Sequence, residues 1–153
     1  MKRVYAYEER CIGCGRCEVA CKTNHSKSKN AILAFNYESP APQARIHVDG
    51  DLLVSVSVNC RHCKHPRCVE GCISGAMRKD PDTGIVTSNP VKCVGCYTCV
   101  ALCPFGAVHV AHNGVKDVAF KCDLCQDEAG CTNAPACVKA CPNDALVFQE
   151  MGA

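Results

Sequence analysis

The sequence predicts an α+β fold of short helices and β-hairpins in which cysteine, rather than a large apolar core, organises the interior. Three observations carry that expectation. Of the 17 cysteines among 153 residues, all but Cys131 fall into four blocks of four. The segment that follows the last cysteine of a block recurs along the chain. Two tight-turn dipeptides, Asp49-Gly50 and Asn113-Gly114, separate runs rich in β-branched residues. Aromatic residues make up only 5% of the chain and tryptophan is absent, so the side chains that usually fill a core are scarce.

The blocks read Cys11-x2-Cys14-x2-Cys17-x3-Cys21, Cys60-x2-Cys63-x4-Cys68-x3-Cys72, Cys93-x2-Cys96-x2-Cys99-x3-Cys103 and Cys122-x2-Cys125-x11-Cys137-x3-Cys141. Such an internal repeat outranks any local helix or strand signal. After three blocks the chain continues alike: Cys72-Ile73-Ser74-Gly75-Ala76-Met77, Cys103-Pro104-Phe105-Gly106-Ala107-Val108 and Cys141-Pro142-Asn143-Asp144-Ala145-Leu146. Each reads as a short helix carrying the last cysteine, a turn at Gly or Asp, and then a strand. Pro104 and Pro142 are expected to end their helices, because proline has no N–H to donate.

The first block departs from this plan, since Cys21 runs into a long insertion, residues 22–45. Its first part, through Ser26, Lys27, Ser28, Lys29 and Asn30, is polar; Ala31–Tyr37 is more apolar, and Pro40 and Pro42 keep the chain extended. A segment this long covers or binds something: either a surface loop lying over a metal centre, or a docking segment in which Phe35 and Tyr37 meet a partner enzyme. Hairpins follow. Ala44–Val48 and Leu52–Val58 flank Asp49-Gly50, and Val54–Val58 alternates with the period of a half-buried strand. Ala107–Ala111 and Val115–Phe120 flank Asn113-Gly114, and Asp82-Thr83-Gly84 precedes a weak strand, Ile85–Thr87.

The spacing also speaks to chemistry. A Cys-x2-Cys-x2-Cys turn brings three sulfurs to three corners of an iron–sulfur cubane, and the fourth cysteine of such a block reaches a second cubane. Gly13, Gly15 and Gly95 suit a turn with unusual φ values and close backbone approach. Four blocks therefore predict four [4Fe–4S] clusters. Zinc is the structural alternative, but zinc sites use two separated Cys-x2-Cys pairs rather than a triple. Disulfides fit worse, because the count is odd and the first ten residues hold no apolar signal region. The expected compartment is the cytoplasm, where thiols stay reduced.

Other features narrow the function. No apolar run approaches the roughly 18 residues that span a bilayer, and no basic patch interleaved with aromatics signals nucleic acid. The formal net charge is +2. It becomes about −6 once sixteen thiolates and four oxidised cores of about +2 each are included. No phosphate loop, dinucleotide fingerprint or hydrolytic triad is present, so no catalytic residue is expected. The six histidines, His25, His47, His62, His65, His109 and His112, are surplus to the cysteine ligands; His62 and His65 flank Cys63 and could donate hydrogen bonds to sulfur. Arg16, Lys22, Lys64, Arg67, Lys92 and Lys121 lie beside ligands and read mainly as solvated charges. Cys131 could compete with Cys137 as third ligand of the fourth block.

With these motifs in view, the chain resembles the four-cluster ferredoxin-like electron-transfer subunits of bacterial oxidoreductases, the iron–sulfur subunit family of dimethyl sulfoxide reductase and formate dehydrogenase. The resemblance is strongest at Asn59-Cys60-Arg61-His62-Cys63-Lys64-His65-Pro66-Arg67-Cys68-Val69, at Cys122-Asp123-Leu124-Cys125 and at Pro135-Ala136-Cys137-Val138. It implies two bacterial dicluster-ferredoxin-like modules: an outer one from residues 1–45 with 122–153, and an inner one from 46–121. It further implies one cluster on Cys11, Cys14, Cys17 and Cys141, and a second on Cys122, Cys125, Cys137 and Cys21. A third would lie on Cys60, Cys63, Cys68 and Cys103, and a fourth on Cys93, Cys96, Cys99 and Cys72; Pro135-Ala136-Cys137-Val138 favours Cys137 over Cys131. The implied role is electron transfer without catalysis. The partners would be a catalytic oxidoreductase and a second redox protein, for which the family suggests a flavin- and NAD(P)-dependent one. The run Cys72–Met77 is similar to small subunits serving nickel carbon monoxide dehydrogenase; tungsten aldehyde oxidoreductase, formate dehydrogenase and hydrogenase are the alternatives. An iron–sulfur redox sensor is the rival of a different class.

Overall fold

The computed structural model describes residues 2–51, 53–126 and 133–150; Cys131 and Leu52 lie outside them. In chain order the elements are β1 (Lys2–Ala6), a 3-10 turn (Glu8–Arg10), α1 (Arg16–Asn24), α2 (Ala31–Asn36), β2 (Ile46–Gly50), β3 (Ser55–Asn59), α3 (Arg67–Glu70), β4 (Met77–Lys79), β5 (Val86–Ser88), α4 (Thr98–Ala101), β6 (Val108–His112), β7 (Asp117–Lys121), α5 (Ala136–Lys139) and β8 (Leu146–Glu150). This is the expected α+β arrangement of short helices and hairpins. The described strands pair as four antiparallel ribbons, β1–β8, β2–β3, β4–β5 and β6–β7. A two-stranded ribbon is marginal alone, so each must be held by what it packs against.

Both turn dipeptides do close hairpins, shifted by one to three residues from the expected bounds. Ile46 pairs with Asn59 and Gly50 with Ser55; Val108 pairs with Lys121 and His112 with Asp117. Gly50 sits at φ 120°, and a Cβ there would fall 2.2 Å from the Val54 carbonyl oxygen, so no larger residue fits this turn. The weak strand is Val86–Ser88 and pairs with Met77–Lys79. The β1–β8 ribbon, running from Lys2↔Glu150 to Ala6↔Leu146, has no turn signal because its strands come from opposite ends of the chain.

Three expectations need correction. The short helices carry the third cysteine of a block, and α3, α4 and α5 end before the fourth. Cys72, which has no proline after it, ends its helix just as Cys103 and Cys141 do, each N–H turning back to a carbonyl three residues earlier. Proline is therefore not the cause. The insertion is not all loop: Asn30 caps α2 by accepting from the N–H groups of Ile32 and Leu33, as N-cap asparagine does. Strand β3 turns its serines inward, with Ser55, Ser57 and Asn59 buried while Val56 and Val58 are half-buried.

The interior has two parts. One gathers Val4, Cys17, Cys21, Ile46, Cys60, Ile85, Ala107, Cys122, Leu124, Cys137 and Leu146; the other gathers Ala76, Met77, Cys93, Cys99, Val108, Val118 and Ala119. Helix α1 packs on α5, and α3 on α4. The β2–β3 hairpin lies against α1 and β1.

Candidate metal centres

The first Cys-x2-Cys loop of each block is bent at the same place. The residue before the second cysteine is left-handed in all four: Gly13 at φ 66°, His62 at 45°, Gly95 at 71° and Leu124 at 59°. Left-handed residues within a turn point successive backbone N–H groups into one concavity, a nest suited to anionic sulfur. Glycine made this legible at Gly13 and Gly95. His62 and Leu124 carried no such signal, since only the loop's repetition, not the residue type, demands the conformation. The Leu124 N–H lies 3.4 Å from Cys122 Sγ, and the His62 N–H 3.4 Å from Cys60 Sγ.

The turn after the fourth cysteine of the last three blocks repeats as well. Gly75, Gly106 and Asp144 are left-handed, at φ 62°, 60° and 50°. The chain then returns an N–H to the cysteine it left: Met77 to Cys72 Sγ at 3.3 Å, Ala107 to Cys103 Sγ at 3.4 Å, Ala145 to Cys141 Sγ at 3.2 Å.

In the first block Cys17 and Cys21 both lie in α1, about one helical turn apart; in the other three the fourth cysteine follows just after the helix that carries the third. Cys11, Cys14, Cys17 and Cys141 line one small cavity, with Val48 and Ser57. Cys60, Cys63, Cys68 and Cys103 line another of about 300 Å³, with Val86, Ala107 and Val108. The buried Cys137 thiol is pushed far up by desolvation and then by its neighbours Cys122, Cys21 and Cys125. Cys99 is raised likewise by burial, then by Cys72 and Cys93, with Cys96 also close. Burial pushes Cys122 up to about 12 and Cys68 up to about 11. Pockets that disfavour thiolates this strongly need a cationic core before four can ionise together, and metal binding then expels their protons. The donor set fits [4Fe–4S] cores.

Polar groups surround the sulfurs. Ser57 Oγ lies 3.5 Å from Cys17 Sγ, and Ser55 Oγ donates to the Cys11 carbonyl at 3.2 Å; this is why β3 buries its polar face. The Arg45 N–H donates to Cys21 Sγ at 3.2 Å. Burial would raise the Asp123 carboxyl, but its hydrogen bond with His25 and the charge of Arg45 hold it well below the usual range. Burial would lower His25, yet Asp123 and Cys21 raise it to about 10. His25, Asp123 and Cys125 offer ligand atoms within 4.8 Å of one another, and they belong to the surroundings of Cys125's own group. His62 is fully buried, its Nδ1 accepting from the Val86 N–H at 3.0 Å; His65 is exposed. Arg16, Lys64, Arg67 and Lys92 are exposed, as solvated charges should be, but Lys121 is only 1% exposed. Cys14 and Cys96 are exposed, whereas Cys17, Cys21, Cys60, Cys93, Cys99, Cys122, Cys125 and Cys137 are buried.

Four cysteine blocks, each bent through a left-handed loop and with thiols of different blocks gathered round shared cavities, define an iron–sulfur protein of ferredoxin type. The chain belongs to the 4Fe–4S dicluster domain family, whose model matches residues 53–151, and a 4Fe–4S binding domain model matches residues 2–23. With its sixteen block cysteines, four [4Fe–4S] clusters are its cofactors, which decides against zinc. The chain is 40% identical to the thiosulfate reductase electron transfer subunit PhsB of Salmonella typhi, over 94% of this chain and 73% of that protein. It is 36% identical to a protein named iron–sulfur protein from Rhodospirillum rubrum, over 98% and 83%. It is 35% identical to the electron transport protein HydN of Escherichia coli (strain K12), over 94% and 85%. The match to AegA of Escherichia coli (strain K12), 36% identical over 94% of this chain, spans only 21% of that longer protein. Among solved structures, the active site complex BamBC of benzoyl coenzyme A reductase shares the fold, with a TM-score of 0.52 and 23% identity over 99% of this chain and 78% of that one.

Proposed function

We propose that the chain is a non-catalytic electron-transfer subunit carrying single electrons between a catalytic oxidoreductase and a second redox protein. The observation that carries this reading is the packing of α1 on α5 and of α3 on α4, beside cavities lined by cysteines of different blocks; on our assignment it makes the tetrads continuous. Helices α1 and α5 join Cys11, Cys14, Cys17 and Cys141 to Cys122, Cys125, Cys137 and Cys21. Helices α3 and α4 join Cys60, Cys63, Cys68 and Cys103 to Cys93, Cys96, Cys99 and Cys72. We assign one cluster to each of these four sets, numbered here one to four with Cys11, Cys122, Cys60 and Cys93 as their first members. Sets one and two make the outer module, residues 1–45 with 122–153, and sets three and four the inner, 46–121. The exposed Cys14 and Cys96 then stand at the two ends of the path. Relatives named as electron transport and electron transfer proteins support the role.

For the catalytic partner we favour nickel carbon monoxide dehydrogenase, on the likeness of Cys72–Met77 to its small subunits. Tungsten aldehyde oxidoreductase, formate dehydrogenase or hydrogenase would use the same path. The acceptor we propose is a flavin- and NAD(P)-dependent protein. Helix α2 and the Tyr37 that follows it, with Ile32, Phe35 and Tyr37 exposed, support docking of the catalytic partner on the insertion. Reduced thiols fit a cytoplasmic place; among the described residues no helix is long and apolar enough to cross a membrane.

Anaerobic purification of the tagged chain from its host tests both levels. About sixteen irons per chain with carbon monoxide dehydrogenase co-eluting is the expected result. A tungsten or molybdenum enzyme in its place keeps the role and replaces the partner; about eight irons overturns the four-cluster path. Cys131→Ser is expected to leave the iron content unchanged, and a loss of about four irons would move the ligand from Cys137 to Cys131.

A further inference from the structure

Lys121 is the largest fully buried side chain among the described residues. Its ammonium donates to the carbonyl of Val86 and, at 2.8 Å, to that of Cys122. Among the described residues no carboxylate pairs with it, and the nearby Asp123 is occupied by His25 and Arg45. A buried cation without a counter-charge is strongly unfavourable, so something anionic must face it.

The two acceptors say what that is. Cys122 is the first cysteine of set two. Val86 lines the cavity of Cys60, Cys63, Cys68 and Cys103, which is set three. Lys121 thus stands where the outer and inner modules meet. The same Val86 donates to His62 Nδ1, so one residue fixes both the lysine and the loop of set three. A [4Fe–4S] core with four thiolates carries about −2, and about −3 after taking up one electron. Two such groups flanking one ammonium supply the missing counter-charge.

We infer that Lys121 is an electrostatic bridge between the second and third clusters, a positioning residue that stabilises both reduced forms and so favours electron passage from module to module. This rests on the cluster assignment proposed above. In a low-dielectric site one charge acts on both neighbours far more strongly than a solvated lysine would, and it leaves sets one and four nearly untouched.

The test is a redox titration of the purified holoprotein, followed by electron paramagnetic resonance, on wild type, Lys121→Gln and Lys121→Arg. Wild type must first hold about sixteen irons; if it does not, the cluster assignment fails and not the bridge. Lys121→Gln keeps a donor for Val86 but no charge. It is expected to retain its iron, with two of the four midpoint potentials falling about tenfold in reduction equilibrium, roughly 59 mV for a one-electron couple. Lys121→Arg is expected to hold wild-type potentials. Four unchanged potentials in Lys121→Gln, or an equal shift of all four, overturn the inference. If Lys121→Gln loses iron, the arginine variant decides: retained iron and potentials uphold the bridge, and failure despite the kept charge assigns Lys121 to packing alone.

Discussion

Residue by residue, the backbone conformations at the cysteine loops matter as much as the ligands. Gly13 combines φ 66° with a Ser55 Oγ that would lie 3.2 Å from an added Cβ. Gly13→Ala is therefore expected to destabilise the folded holoprotein by about 1–2 kcal/mol, seen as faster thermal bleaching of the visible iron–sulfur absorption. Asp144 occupies the position that Gly75 and Gly106 hold in the other repeats, so Asp144→Gly is expected to slow that bleaching; faster bleaching would mean that the Asp144 side chain does more than tolerate its φ. Ser57 faces Cys17 Sγ. Losing a hydrogen bond to sulfur worth about 1 kcal/mol lowers a one-electron potential by roughly 40 mV, and Ser57→Ala should show it on one cluster alone. The four cysteine blocks were legible because ligand spacing is a covalent constraint written directly in the chain. His62, Leu124 and Lys121 were not: the first two take a conformation their residue types do not advertise, and the third has the composition of a surface residue.

Among the elements, the hairpins with Asp49-Gly50 and Asn113-Gly114 were legible because local turn chemistry sets them. Strand β3 shows how alternation alone falls short. Period two told that one face of Val54–Val58 is buried, but the choice of face depended on what lay opposite, and sulfur selected the serines. Helix α2 was missed for a related reason, since six residues with a cap make too short a periodic signal. Its stability leans on that cap. Asn30→Ala is expected to cost about 1 kcal/mol locally, so that the amides of Leu33–Asn36 exchange roughly fivefold faster while iron content stays at the wild-type level. Unchanged exchange would mean that packing of the wholly buried Ala34, rather than the cap, holds the helix.

For the molecule as a whole, the four ribbons and five short helices of the described residues surround sulfur instead of a continuous apolar core, and none of them is long enough to stand alone. Anaerobic removal of the clusters is expected to abolish most of the far-UV circular dichroism; a native-like spectrum in the apo form would contradict this. The overall fold class was legible because repeated ligand blocks dictate repeated turns, whereas the pairing of β1 with β8 was not, since no local signal joins residues so far apart in sequence. That ribbon has a consequence for how the protein is made. In the proposed assignment, sets three and four draw on residues 60–103 only, so both tetrads exist as soon as that stretch has left the ribosome. Sets one and two wait for Cys137 and Cys141, and β1 waits for β8. Maturation is therefore expected to be ordered in time: the inner pair can be filled first and the outer pair last, which leaves an N-terminal segment with four unclaimed thiols, Cys11, Cys14, Cys17 and Cys21, to be kept reduced until their distant partners arrive.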